Sequence, residues 1–300
     1  VKKILITGAS GLVGSRFVEL YGNKYQLITP EYPDFDLTNI ESIKKILTDY
    51  NPEVVINLAA FTDVGKAEEQ RDNKNDSCYQ INVEGTKNLI SFFDPKTIHL
   101  IHISTDYVFS GSVEDPGPYA EDKLPETDSA KLSWYGFTKA EGERVIKNTL
   151  GNDMTILRIN FPVRAKYDLK LDYLRKPLSL FNQGKLYPLF YDQQVSITYI
   201  DEMCQVLDKI IEGKMYGTFH ATTPNTASPY DLIAYLLNKT GRDSSKLQKA
   251  SIIEFVKNNP SIRYPIKGGL NPVKTEELLG MKFLPWEKVI DELILHGLGF

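Results

Sequence analysis

Tyr135 and Lys139 stand four residues apart in Tyr135-Gly136-Phe137-Thr138-Lys139, a spacing that puts both side chains on one face of a helix. A free phenol has a pKa of roughly 10, so it moves protons poorly at neutral pH unless a nearby cation favours the phenolate. Lys139 is such a cation. A Tyr/Lys pair of this kind also occurs on solvated helices, so the chemistry needs a further group. Ser104-Thr105-Asp106-Tyr107-Val108-Phe109 supplies one, because it follows the apolar run from His99 to Ile103 and delivers Thr105 to the C-terminal end of a strand. Open α/β sheets bind ligands at that end. A threonine hydroxyl there can donate to a carbonyl oxygen whose charge grows as hydride arrives; the alternative is a hydroxyl turn that merely closes the strand.

A second constellation is Gly8-Ala9-Ser10-Gly11-Leu12-Val13-Gly14, between a first strand and a first helix. Glycines at such a turn let the chain reverse tightly while the helix N-terminus faces a pyrophosphate. The spacing is one residue longer than the common dinucleotide fingerprint, and the competing reading is a tight connection without a ligand. Asp36 lies where the chain after the second strand can meet an adenine or ribose, or can simply start the next helix. No arginine between Tyr25 and Glu31 awaits a 2′-phosphate, and the usual acid at the end of that strand is not evident, so NADPH and NADH both stay open.

Apolar runs of strand length at Lys3–Thr7, Tyr25–Thr29, Glu53–Leu58, Ile98–Ser104 and Met154–Ile159 position these groups. They alternate with helical spacing at Gly11–Tyr21, Asn39–Tyr50, Cys78–Phe93 and Trp134–Leu150, with Thr38 or Asn39 as a cap for the second helix. This alternation predicts an α/β fold, a Rossmann-type doubly wound parallel sheet covered on both faces. After Ile159, prolines interrupt shorter elements, with helices expected near Asp201–Glu212 and Pro229–Thr240. The expected organisation is an NAD(P)-binding domain over 1–160 and, over 161–300, a smaller mixed C-terminal substrate lobe with segments free to return to the first sheet.

The 300 residues, 42% hydrophobic and 25% charged, exclude disorder, collagen and coiled coil. With 35 Lys+Arg against 39 Asp+Glu, no excess of cations exists for a nucleic-acid backbone. Cys78 and Cys204 are too few and too distant for a disulfide framework, which points to a reducing, cytoplasmic setting. No stretch suits a membrane span, and the short run Ile4–Ile6 reads as a strand and not a leader. His99 and His102 point to opposite faces of a strand, so no metal site is expected and packing or backbone hydrogen bonding is their role. Glu68, Glu69 and Asp72 read as part of a solvated charged stretch. A homodimer accords with the commonest assembly symmetry.

Together the glycine loop, Asn57-Leu58-Ala59-Ala60-Phe61-Thr62, Ile81-Asn82-Val83-Glu84-Gly85-Thr86, Ser104–Phe109 and Tyr135–Lys139 resemble the extended short-chain dehydrogenase/reductase family. Within it they resemble the branch of sugar-nucleotide 4-keto reductases. The resemblance is dense over about the first 160 residues and thin afterwards. It implies that Tyr135 donates a proton, Lys139 lowers its pKa and holds the nicotinamide ribose, and Thr105 orients the sugar carbonyl. It also implies that Gly8, Ser10, Gly11, Leu12, Val13, Gly14, Asp36, Leu37, Leu58, Ala59, Ala60 and Thr62 line the cofactor, NADPH or NADH. Thr105, Asp106, Tyr135 and Phe161 would meet a nucleotide-sugar substrate, and Asn82 would support the catalytic helix. The implied reaction is hydride transfer to C4 of dTDP-4-dehydrorhamnose, giving dTDP-rhamnose. Tyr107, where related dehydratases carry a glutamate, disfavours dehydration.

The second half departs from that branch. Arg158-Ile159-Asn160-Phe161-Pro162-Val163 has Phe161 where a tryptophan is usual, and Tyr264-Pro265 stands where an Arg-Pro pair is usual. A guanidinium that would clamp a diphosphate is thus absent from its expected place, with Arg158, Arg164, Arg175 and Arg263 as substitutes. These departures keep two alternatives in view: another nucleotide sugar as substrate, or a non-catalytic regulatory protein that retains the cofactor fold.

Overall fold

The computed structural model describes residues 1–299. Five strands open the chain's main sheet: β1 (Lys3–Thr7), β2 (Gln26–Ile28), β3 (Val54–Asn57), β4 (His99–Thr105) and β5 (Thr155–Ile159). The short strands β6 (Pro162–Val163), β7 (Leu189–Phe190) and β8 (Thr198–Tyr199) follow, and then β9 (Gly217–Ala221). The main sheet has the order β2-β1-β3-β4-β5-β9, with β1 parallel to both β2 and β3 and β3 parallel to β4. Because the chain leaves β1 for β2 on one side and then crosses to β3 on the other, the strand order reverses between β1 and β3. Such a reversal opens a crevice at the carboxyl ends of the strands.

Every residue of β3 and β4 is buried, as strands covered on both faces must be. Helices α1 (Gly14–Tyr21), α2 (Ile40–Tyr50), α3 (Val64–Glu69), α4 (Ser77–Tyr79), α5 (Gly85–Ile90) and α6 (Trp134–Leu150) supply the cover. Asn39 caps α2 by accepting from the amides of Glu41 and Ser42, and Asn51 ends it in the left-handed region at φ 45°. One core joins Leu5, Val55, Leu100 and Ile156 of the strands to Ile43 and Leu47 of α2, Leu89 of α5 and Ile146 of α6.

The chain divides into two compact units. The first comprises Val1–Val108, Leu124–Arg158 and Cys204–Phe219; the second comprises Phe109–Lys123, Ile159–Met203 and the chain from His220 onward. The passage at Arg158 lies close to the sequence-based boundary, while two segments trade places across it. After α7 (Arg175–Asn182) comes α8 (Ile200–Gly213), whose end makes up most of Cys204–Phe219 in the first unit, where the Tyr25 hydroxyl lies 2.6 Å from Asp208 Oδ1 and 2.9 Å from Glu212 Oε1 and donates to one of them at a time. Tyr25 itself lies outside β2, its amide donating to the Tyr21 carbonyl at 3.1 Å. The second unit has its own core, in which Leu232, Ile233, Leu236 and Leu237 of α9 (Pro229–Lys239) meet Val289, Ile290 and Leu293.

The expected helix at Gly11–Tyr21 starts only at Gly14, since Gly8–Val13 forms the turn. The one expected over Cys78–Phe93 begins at Ser77, widens into a π turn at Gln80–Glu84 and ends at Ile90. Among the described residues no helix is long and apolar enough to cross a membrane, and no group of three or more His, Cys, Asp or Glu can hold a metal ion.

Candidate active site

The glycine loop sits at the C-terminal end of β1, against the chain that leaves β3. Gly8 has φ +67°, and a Cβ on it would lie 3.1 Å from the amide nitrogen of Ala59. A Cβ on Gly14 would fall 2.5 Å from the Gly8 carbonyl oxygen, so the first turn of α1 closes on the loop backbone only because no side chain intervenes. The result is a backbone cradle at a helix N-terminus, at the sheet's reversal point, which fits the diphosphate of a dinucleotide. Ser104 Oγ, buried at the end of β4 without a hydrogen-bond partner, gives an independent sign of fit, since such a hydroxyl is ready for a ligand. Leu58, Ala59 and Ala60 border the cradle half-buried, and Thr62 is exposed beyond them.

Ser10 in the loop donates to Glu31 Oε2 at 2.9 Å. Glu31, three residues past β2, thus brings a carboxylate beside the loop. Asp36 is otherwise engaged: its Oδ1 accepts from both the amide and the hydroxyl of Thr38 at 2.8 Å, so its visible work is to lead the chain into α2. Leu37 is buried in the core beneath that turn.

Helix α6 is set in place from both ends of its first turn. Ser133 Oγ accepts from the Gly136 amide, and Glu68 Oε2 accepts from the Trp134 amide at 2.9 Å. Glu68 also pairs with Arg71, whose guanidinium donates to the carbonyls of Ser129 and Leu132. Glu68 therefore leaves the solvated stretch to which its sequence assigned it. Asn82, carried inward by the π turn, accepts from the Phe61 amide and donates to Thr138 Oγ1 at 3.0 Å, tying the loop after β3 to α6. Its supporting role thus has a concrete form.

The Tyr135 phenol lies close to the Thr105 hydroxyl. Burial pushes the phenol above its ordinary range, with Asp106 and Cys78 adding to the rise and the Thr105 hydroxyl opposing it. Lys139 does not take the part expected of it here, because its ammonium is turned to the strand: Nζ donates to the Ile103 carbonyl at 2.7 Å and lies 3.2 Å from His102 Nε2. The phenol is accordingly a protonated acid at neutral pH in this state of the chain. Lys139, 3% exposed, is brought down to about 8 by burial, against the opposing influence of Glu143 and Cys78.

His102 corrects a second expectation. Its ring meets side chains and not backbone: Nδ1 lies 3.1 Å from Asn57 Nδ2, and Asn57 Oδ1 accepts from Thr7 Oγ1 at 2.7 Å. His99, on the other face of β4, bonds Thr155 Oγ1 at 2.8 Å. A histidine aligned with Lys139 across a strand and a helix has no short-range sequence signal.

Phe161 lies in the second unit with φ 38°, its ring centroid 4.1 Å from that of Tyr173. Of the substitute guanidiniums, Arg158 is committed to Glu143 in a buried pair at 2.7 Å and Arg175 to Asp172 at 2.7 Å. Arg164 stacks on Tyr167 at 5.3 Å, and Arg263 donates to the Ser261 carbonyl.

Residues 2–297 match the family model described as the RmlD substrate binding domain. The chain is 27% identical over 303 residues to a dTDP-4-dehydrorhamnose reductase from Aggregatibacter actinomycetemcomitans, covering 97% of this chain and 98% of that one. Among solved structures, a dTDP-4-dehydrorhamnose reductase from Clostridium acetobutylicum is 30% identical with a TM-score of 0.82, covering 98% of this chain and 99% of that one. A dTDP-4-dehydrorhamnose reductase from Bacillus anthracis in complex with NADP has a TM-score of 0.85 at 25% identity, with coverage of 98% and 99%. With the dinucleotide cradle and the Tyr135–Lys139 helix already in place, this chain belongs to the RmlD substrate binding domain family, as an extended short-chain dehydrogenase/reductase and an NAD(P)-dependent oxidoreductase.

Proposed function

We propose that the protein reduces the C4 keto group of dTDP-4-dehydrorhamnose to give dTDP-rhamnose. The observation that carries this reading is the seating of α6 on the turn after β4, which brings the Tyr135 phenol beside Thr105 and the Tyr135 ring 5.8 Å from that of Tyr107, with Lys139 buried one helical turn from the tyrosine. A bound nicotinamide would supply the hydride. Tyr135, held protonated at neutral pH by burial, delivers the proton to the carbonyl oxygen. The Thr105 hydroxyl, which donates to the buried Asp106 Oδ1 at 3.2 Å in this structure, turns to donate to the same oxygen as negative charge grows on it. Lys139 holds the ribose of the nicotinamide from the strand side.

The dinucleotide diphosphate would rest on the Gly8–Gly14 backbone, with Leu58, Ala59, Ala60 and Thr62 along its path and Asp36 and Leu37 toward the adenine. Glu31 beside Ser10 favours NADH, because its carboxylate accepts from a ribose hydroxyl and repels a 2′-phosphate. The placing of Tyr135 beside Thr105 is the feature a purely regulatory protein has no need to keep. Incubation with dTDP-4-dehydrorhamnose and each reduced cofactor, with the sugar product separated by chromatography, tests the reading.

A further inference from the structure

We propose that His102 is a positioning residue for Lys139, and that its neutral ring reverses its tautomer as the lysine gains or loses its proton. The inference rests on the catalytic reading of Lys139 for its consequence in turnover, but not for the coupling itself.

Four side chains form one buried row from the glycine loop to α6. Thr7 and Asn57 are 2.7 Å apart, Asn57 and His102 are 3.1 Å apart, and His102 and Lys139 are 3.2 Å apart. None is more than 3% exposed. The Ala59 amide donates to Thr7 Oγ1 at 2.9 Å, which ties the first member to the chain that meets Gly8.

A neutral imidazole has one N–H and one lone pair. With an amide N–H aimed at Nδ1, that atom must present its lone pair, so Nε2 carries the hydrogen and faces Lys139. This direction is consistent throughout only when Lys139 is a neutral amine that can accept. When Lys139 is an ammonium, Nε2 must accept, Nδ1 must donate, and the Asn57 amide must turn so that its oxygen meets Nδ1 and its nitrogen meets Thr7. The first direction suits a neutral amine and the second an ammonium, whereas an ammonium facing an Nε2–H sets two donors against each other. Burial and the neighbouring lysine hold His102 well below its ordinary pKa, so a doubly protonated ring does not enter.

The other groups facing Lys139 do not replace this acceptor. Glu143, one turn further along α6, is held by Arg158, and Cys78 on α4 lies against Thr138 Oγ1 at 3.4 Å. Tyr135, on the lysine's own helix, is kept protonated by burial and offers Lys139 no charge. The Ile103 carbonyl and His102 are therefore the two groups that fix Nζ.

The direct test is a 15N spectrum of histidine-labelled protein across a pH titration. The expected result is a His102 ring protonated on Nδ1 near neutrality that changes to Nε2 as Lys139 titrates, with the change abolished in Lys139→Met. One tautomer throughout, or the same change in Lys139→Met, would overturn the proposal. Variants provide a second test. His102→Leu removes the acceptor and is expected to move the alkaline limb of turnover down by about one pH unit, the size of one lost hydrogen bond to a charged group. His102→Gln, whose amide oxygen reaches the Nε2 position, is expected to restore the limb. An unmoved limb in a folded His102→Leu protein would also count against the proposal. If the spectrum responds as expected but Lys139→Met leaves turnover unchanged, the coupling stands and the catalytic reading of Lys139 fails.

Discussion

Gly136 presses α6 onto the carbonyl of Tyr107 so closely that a Cβ built on the glycine would lie 2.1 Å from that oxygen. The Tyr135 and Tyr107 rings meet edge to face beside this contact, with centroids 5.8 Å apart. Tyr135 and the turn after β4 are thus held together by the absence of one side chain.

Replacing that glycine tests the arrangement. Gly136→Ala must push α6 away from the turn or strain both, and is expected to cost about 2 kcal/mol or more in stability, the range for overpacking. Turnover should fall beyond what the lower stability explains. Denaturant melts and rates measured well below the unfolding transition separate the two effects.

Tyr135→Phe removes the proton donor and keeps the ring. It is expected to lower kcat by roughly 10²- to 10⁴-fold, as loss of a general acid does, with the affinity for NADH unchanged by fluorescence titration. Turnover close to that of the parent protein would show that another group delivers the proton.

The buried pair of Arg158 and Glu143, at 2.7 Å and with side chains 3% and 4% exposed, joins β5 to α6. Glu143→Ala leaves an uncompensated guanidinium in the interior and is expected to destabilise the fold by about 3–5 kcal/mol, read as a lower unfolding midpoint. Glu143→Ala should also lower the pKa of Lys139, since the carboxylate favours its charged form.

The depressed pKa of Lys139 sets the sign of the pH dependence. The ammonium is intact below about pH 8 and is lost above it, so turnover is expected to fall from about pH 8 upward. The stability contribution of the same group runs the other way. Between about pH 8 and the ordinary lysine range the unfolded chain holds more protons than the folded one, so folding gains from the rise in pH. Loss of activity in this window without a matching loss of structure by circular dichroism is the expected pattern.

Glu31→Ala removes the carboxylate from beside the glycine loop. NADPH affinity is expected to rise relative to NADH on the order of tenfold, an amount suited to an exposed charge. Equilibrium titration of both cofactors reads this directly, and an unchanged ratio would exclude Glu31 from cofactor choice.

β3, β4 and β5 were legible because they are buried throughout and read as strand-length apolar runs, whereas β9 was not marked by the sequence; β1 and α6 fall at the residues the sequence marks. The glycine loop and the Tyr135/Lys139 pair were legible because they are short-range patterns. What was hidden depends on contacts between distant segments. His102 and Lys139 are 37 residues apart, and Trp134 and Glu68 are 66 apart. The widened turn at Asn82 changes helix type without changing composition, and the Tyr25 hydroxyl meets carboxylates 183 and 187 residues away. Cation availability in the second half was equally opaque, since only the structure shows Arg158 and Arg175 already paired with carboxylates.

The central claim is tested most directly by following nicotinamide absorbance with purified protein, dTDP-4-dehydrorhamnose and NADH or NADPH in parallel, and identifying the sugar by chromatography. The account predicts cofactor oxidation matched by dTDP-rhamnose, faster at limiting cofactor with NADH, and absent in Tyr135→Phe. Cofactor binding without oxidation by the parent protein would contradict it.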